Sequence, residues 1–502
     1  MKTHEDSIII IGAGFAGLGA GIYAQKNGYN SRIFEMHNLP GGLCTSWGRK
    51  GYTFDGCIHW LVGSSQKSGL HDLWEETGIA ENRQFIDIDR YFTITDKTGR
   101  TLTFYTDVNR LEKHLLESCP GDEKPIRDFI NGIRMCIPFD QPSKHDSLIV
   151  KMRKKTRLVS TFIIHGAKMK LWMNTTSADF CEGIKDPLLS RAFMEMWIPE
   201  FSMFFMLFTF AYLHNRNAGY PIGGSKPMAE ALEKKYKELG GKIQFNKKVV
   251  EITTENGRAT GVRLEDGTVH MAAKVISAAD GYSTLFNMLG DKFGDEKSRE
   301  PYKKWKAFPP LVYVSIGVNR SFEEIPVTVS GHNFNLREPV IIDGKKREWI
   351  SLHIFNHDPT LAPKGKTVIS VMLESDFDYW KKLASDRKTY LQKKEEIASI
   401  IIDLIDEKFP GIKSDVEVYD VATPVTFERY TGNWKGSFEG WLITPENAGV
   451  LMKPMSQTVQ GLSNFYMCGQ WVEPGGGLPT SIMSARRLIK RICREDGKKF
   501  RS

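Results

Sequence analysis

The sequence predicts an α/β fold: a parallel sheet flanked by helices, with an α+β part inserted into it. Three observations carry this. A continuous apolar run, Ile8 to Ile11, opens directly into glycines and then a helical stretch, the pattern of a strand buried on both faces. An acidic residue, Glu35, closes the next apolar segment. Near the far end of the 502-residue chain a second strand runs into glycines and a helix, so the two ends belong to one layer and the middle is inserted.

The first unit reads Gly12-Ala13-Gly14-Phe15-Ala16-Gly17. Gly12 permits a tight turn, Gly14 lets backbone approach a pyrophosphate, and Gly17 lets the helix pack on the strand. The following helix presents free N–H groups and a positive dipole end to phosphates. Glu35 lies about 20 residues further on, where a carboxylate accepts hydrogen bonds from ribose hydroxyls. Strand, glycines, helix and acid together predict a Rossmann-like dinucleotide site. Met36 follows the acid, and Gly41-Gly42-Leu43 make a second glycine turn suited to close backbone approach.

At the far end, a strand over 464–468 meets Gly469-Gln470, then Gly475-Gly476-Gly477. Pro479 marks a helix start, because its fixed φ suits the first turn. Around Pro479, which has no N–H of its own, the N–H groups of Leu478, Thr480 and Ser481 are free to stabilise negative charge on a bound group.

An acid followed by a Pro-Gly-Gly loop resembles the large FAD-dependent oxidoreductases, which include amine oxidases, protoporphyrinogen oxidases and carotenoid desaturases. Four further stretches are similar to the phytoene desaturase family, with its carotenoid isomerases and retinol saturases. They are YPIGG at 220–224, VISAADGYSTL at 275–285, DPTLAPKGK at 358–366 and TPVTFERYTGNWKGSFEGW at 423–441. The resemblance spans nearly the whole chain. It implies a glutathione-reductase-type FAD-binding domain, FAD as cofactor, contacts from Val249 and Asp280, and Leu478 to Ser481 facing the flavin. FDGCIHWLVG at 54–63 is nearest the retinol-saturase pattern but has Cys57 where that pattern has glycine. Gln470 stands where the family usually has aspartate.

The motifs divide the chain into an FAD-binding domain of three pieces, 1–110, 215–300 and 425–502, and a substrate domain of 111–214 and 301–424. Strands are expected over 308–319, 349–355 and 367–373, forming an antiparallel sheet over the flavin. Helices are expected over 103–136, with Asp107 as N-cap, and over 393–409.

Residues 192–213 form an apolar segment whose longest uncharged run, Phe201 to Leu213, has 13 residues, too few to span a bilayer. It reads as a buried helix, as the wall of an apolar tunnel with Trp197, Phe201, Phe204, Phe205 and Phe208 as substrate contacts, or as an edge dipping into a membrane. Nearby, KMRKKTR at 151–157 reads as a solvated face or as a patch for anionic headgroups.

Composition excludes other classes. Hydrophobic residues are 41% and charged residues 25%, an ordinary globular balance, and the net charge of +8 is too mild to indicate nucleic acid. MKTHED lacks a signal-peptide core, and the seven scattered cysteines have no metal-ligand spacing, so no metal is expected and the reading is a reduced, cytoplasmic protein with peripheral membrane contact as a possibility the patch raises.

The chemistry the resemblance implies is redox at a carbon–carbon bond of a carotenoid, retinoid or other apolar lipid, by desaturation, saturation or isomerisation. His59, which titrates near neutrality, and Glu473, beside the closing glycines, are the candidate acid–base groups. An amine oxidase and a non-catalytic lipid-binding flavoprotein are the alternatives. Substrate, direction and electron partner stay open at this stage.

Overall fold

The computed structural model describes residues 6–451 and 453–502. Its centre is a five-stranded, all-parallel sheet: Lys242–Gln244, Asn30–Phe34, Ser7–Ile11, Lys274–Ser277 and Phe465–Met467, in that spatial order. In chain order this is 3-2-1-4-5, the first five positions of a doubly wound dinucleotide fold. Isoleucines 8–11 are all buried, as the unbroken apolar run requires. Helix Phe15–Lys26 is buried along nearly its whole length. It packs between helices Gly477–Glu495 and Lys226–Glu238. A three-stranded antiparallel meander, Val249–Glu255, Arg258–Leu264 and Val269–Met271, leads into the fourth parallel strand.

The second layer is a seven-stranded sheet ordered Val416–Ala422, Leu311–Val318, Thr367–Glu374, Lys345–Ile354, Gly331–Ile342, Arg90–Thr95, Thr101–Tyr105. Three of its strands fall where the sequence placed them. Three differences follow from this sheet. Residues 90–105, which the division at residue 110 places with the FAD-binding domain, pair with this sheet, through Gly331–Phe334 alongside Phe92–Thr95. That pairing is parallel, so the sheet is mixed rather than antiparallel. Residues 103–105 end a strand, and helix begins only at Val108. There Asp107 caps as expected, accepting from the amides of Asn109 and Arg110.

The apolar segment 192–213 is not one helix. It is shared between Pro187–Met196 and Met203–His214, broken where Pro199 cannot continue a helix. None of its large apolar side chains is exposed, so it forms no membrane-dipping edge. No helix among the described residues is long and apolar enough to cross a membrane.

Candidate active site

One cavity of about 1380 Å³ runs from the first glycine turn to the aromatic helix Met203–His214. At one end the Gly12 amide donates to the Phe34 carbonyl (2.8 Å) and the Gly41 amide to the Ala13 carbonyl (2.9 Å), which locks the two glycine turns together. A Cβ on Gly17 would lie 1.9 Å from the Gly12 carbonyl oxygen, so helix and strand can meet only there with glycine. A Cβ on Gly14 would meet no heavy atom within 4 Å. That free space faces the cavity, and Gly14 begins the helix with no side-chain cap. Glu35 is buried, its carboxylate accepting from the Ala13 amide (2.6 Å) and the His37 amide (2.8 Å). Burial raises its pKa, and those amides act in the opposite sense.

Most of the predicted cofactor residues line this same cavity: Gly12, Gly14, Phe15, Ala16, Glu35, Met36, Gly41, Gly42, Leu43, Val249, Asp280, Gly469, Gln470 and 478–481. Ala13 and Gly17 do not line it and act through backbone packing. Asp280 accepts from the amides of Ser283 (2.7 Å) and Trp434 (2.8 Å), while burial pushes its pKa up to about 7. It therefore ties the 275–285 stretch to the 423–441 stretch. The Gln470 side chain turns toward Asn433 at 3.5 Å. The closing helix begins at Gly477, two residues before Pro479.

At the other end, Trp197, Phe201, Phe204, Phe205 and Phe208 all line the cavity. Trp197, Phe201 and Phe205 stack in series, with ring centroids 5.0 and 4.9 Å apart. Phe205 reaches to the position a Cβ on Gly475 would occupy, at 3.4 Å. The aromatic wall therefore abuts the glycine turn that closes the dinucleotide end.

His59 lines the cavity between the two ends. Its Nδ1 lies 3.2 Å from the Cys57 carbonyl, and its buried Nε2 has no partner. It stacks on His353 at 4.4 Å, which in turn stacks on Phe355. Burial lowers the pKa of both histidines. Glu473 lies outside the cavity lining and is ion-paired with Arg487.

Three cavity features lay beyond the sequence reading. Glu439 has no acid–base partner among the described residues, and its carboxylate oxygen sits 2.9 Å from the Cβ position of Gly476. Burial alone pushes its pKa up to about 7. It sits inside the 423–441 stretch, but no spacing in the sequence marks it. The Arg191–Glu195 ion pair also lines the cavity. Its one legible sign was an acid alone in an apolar run. His353 lies in a strand whose direction only the fold reveals.

A Rossmann-type sheet, a buried acid directly after its second strand and a second glycine turn closing on a helix N-terminus define a flavoprotein site. The chain belongs to the flavin-containing amine oxidoreductase family, whose model matches residues 15–492. FAD is its cofactor, and the free space at Gly14 and the uncapped helix start fit its pyrophosphate. A prolycopene isomerase of an Oncidium hybrid cultivar is 26% identical, over 99% of this chain and 85% of that protein. The neurosporene-forming phytoene desaturase of Rhodobacter capsulatus is 25% identical, over 96% and 93%. Among solved structures, an oxidoreductase from Methanosarcina mazei superposes with a TM-score of 0.58 at 18% identity, over 96% of this chain and 100% of that one. Cyclohexylamine oxidase from Brevibacterium oxydans superposes at 0.61 and 12%, over 98% and 99%. These two show the shared fold.

Proposed function

We propose that this flavoprotein changes the oxidation state or geometry of a carbon–carbon bond in a long apolar polyene or lipid. The observation that carries the reading is the continuity of the cavity, in which the dinucleotide cradle and the aromatic gallery of Trp197 to Phe208 share one space. Its volume exceeds the usual range for a small-ligand pocket, as a dinucleotide and a long chain together require. The names of the relatives, prolycopene isomerase and phytoene desaturase, point the same way.

When bound, FAD supplies hydride transfer. The chain's own residues do the rest. The Phe and Trp rings hold an apolar chain and exclude water. Glu439, protonated to about pH 7, is placed to hold or deliver a proton beside the Gly475 to Gly477 turn. Burial lowers the pKa of His59, which keeps the ring neutral, and its Nε2 has no partner among the described residues. The seven cysteines are all free, which supports a reducing, cytoplasmic setting.

Anaerobic flavin spectroscopy with phytoene, lycopene, all-trans-retinol and a polyunsaturated fatty acid tests this. Bleaching of oxidised flavin marks desaturation. Reoxidation of photoreduced flavin with a product two mass units heavier marks saturation, and a product of unchanged mass but shifted retention marks isomerisation. Silence toward every polyene, with bleaching by an amine and hydrogen peroxide formed in air, would replace the reading with an amine oxidase.

A further inference from the structure

Helix Leu148–Met173 stands apart from every other element. It is 26 residues long and buries only Thr161, Met169 and Trp172. Eight of the seventeen exposed large hydrophobic side chains among the described residues are on it. Leu148, Met152, Val159 and Ile163 fall about one, two and one turns apart, so they form one stripe pointing away from the buried face. Ile149 and Ile163 are each 79% exposed. The helix has no acidic residue; Lys151 and Lys155 flank the stripe, and Arg153 and Arg157 turn toward the side beneath it. An outward apolar stripe this long is unfavourable in water unless something covers it.

A second observation identifies the cover. Beneath the helix lies a separate hollow of about 270 Å³, lined by Ser65, Lys67, Arg153, Lys154, Arg157 and Asn215 among others. Lys154 is ion-paired with Asp140 and Asp146. Among the described residues, Lys67, Arg153 and Arg157 have no acidic partner. Unspent cations beside an outward apolar stripe match the two layers of an anionic bilayer surface, acyl chains and phosphates.

We propose that helix Leu148–Met173 is a monotopic docking element for an anionic phospholipid bilayer, with the stripe among the acyl chains and a headgroup phosphate in the Lys67–Arg153–Arg157 hollow. Its position gives docking a purpose. Phe162 packs edge-on against Phe139 at 5.0 Å, and Phe139 packs on cavity-lining Phe208 at 5.2 Å. The cavity lining also reaches exposed Gln141, just ahead of the helix. An apolar substrate dissolved in the bilayer thus has a short path to the aromatic gallery. This delivery role rests on the polyene reading; the docking itself does not.

The test is flotation of the flavin-loaded full chain with vesicles of phosphatidylcholine alone or with about one-third phosphatidylglycerol. Binding to the anionic vesicles only, weakening with added salt, is expected. Met152→Asp with Ile163→Asp, and separately Arg153→Gln with Arg157→Gln, should each weaken binding about tenfold or more, with flavin absorbance and Tm unchanged because these side chains are exposed. Phosphate and chloride at matched ionic strength should displace the protein equally. Selective displacement by phosphate would reassign the hollow to a free anion and overturn the headgroup contact. No binding to anionic vesicles, or a dimer in light scattering that Met152→Asp with Ile163→Asp dissociates, would overturn the proposal in favour of a second copy covering the stripe. For delivery, the apolar double variant should lose turnover of vesicle-borne polyene and keep turnover of detergent-dispersed polyene. Absence of turnover in both forms by the unaltered protein counts against the polyene reading alone and leaves docking to be judged by flotation.

Discussion

Asp55 accepts the Ser225 hydroxyl at 2.7 Å and, through its other oxygen, the Ser225 amide. It also accepts from the Cys57 and Ile58 amides and the Ser46 hydroxyl. The 54–63 and 220–225 stretches, far apart in sequence, therefore meet on one buried carboxylate. The approach is so close that a Cβ on Gly224 would lie 2.3 Å from Asp55 Oδ2. His59 hangs from the loop that Asp55 organises.

Removing that hub should be felt throughout the site. Asp55→Ala leaves several buried donors without an acceptor, and about 3 kcal/mol of stability should be lost. Ser46→Ala, which removes one donor, should cost about 1 kcal/mol. Urea unfolding of both variants checks the ranking; equal costs would mean Asp55 is not the hub.

The glycines of the first turn separate fold from cofactor. Gly17→Ala drives a methyl into the Gly12 carbonyl, so the protein should be destabilised and purify without flavin. Gly14→Ala meets nothing in the protein, so its apoprotein Tm should stay within about 2 °C of the parent while FAD affinity falls at least tenfold. Thermal melts with flavin titration decide this. Unchanged FAD affinity in Gly14→Ala would mean the pyrophosphate lies elsewhere.

This contrast explains what was legible. The dinucleotide end is written in local sequence because strand, turn and helix are consecutive, and each glycine answers a steric demand within a few residues. Asp107 was legible for the same reason. The substrate end is built from long-range pairings. Arg90–Thr95 joins Gly331–Ile342 across more than two hundred residues, and no local pattern records that partner. His353 and Glu439 face the cavity only because of such pairings. Glu473 misled because adjacency to Gly475 in sequence placed it near the flavin, while Arg487, nearly three turns into the closing helix, pairs with it outside the cavity lining. The exposed stripe on Leu148–Met173 was legible only in part: the basic run at 151–157 is written in the sequence, but nothing local distinguishes an outward apolar side chain from a buried one.

The buried histidines should make the protein acid-sensitive. Burial lowers the pKa of His59 and His353, and takes His332 and His357 to about 4. Each binds a proton in the unfolded chain near pH 6.5 but not in the fold. Their contribution to stability is therefore intact above about 6.5 and lost as pH falls toward 4. His357→Gln should reduce the slope of unfolding free energy by about 1.4 kcal/mol per pH unit between those limits. Denaturation at stepped pH measures it, and an unaltered slope would show that His357 is protonated in the fold.

Glu439 carries the opposite sign and the sharpest prediction. Burial without a counter-charge holds its folded pKa near 7, above the ordinary carboxylate value of 4.5. The fold therefore favours the neutral acid. That contribution is present below about 4.5 and lost as pH rises through 7, so Glu439→Gln should flatten the stability profile between those limits. If the neutral acid delivers a proton to substrate, kcat should decline as pH rises through about 7. Glu439→Gln should then lower kcat between tenfold and a hundredfold and abolish that limb. Glu473→Gln should keep the limb, because Glu473 is paired with Arg487 outside the cavity. A flattened stability profile with an intact kinetic limb would place Glu439's charge in the fold and its proton outside the chemistry, and the acid would have to be sought elsewhere along the cavity.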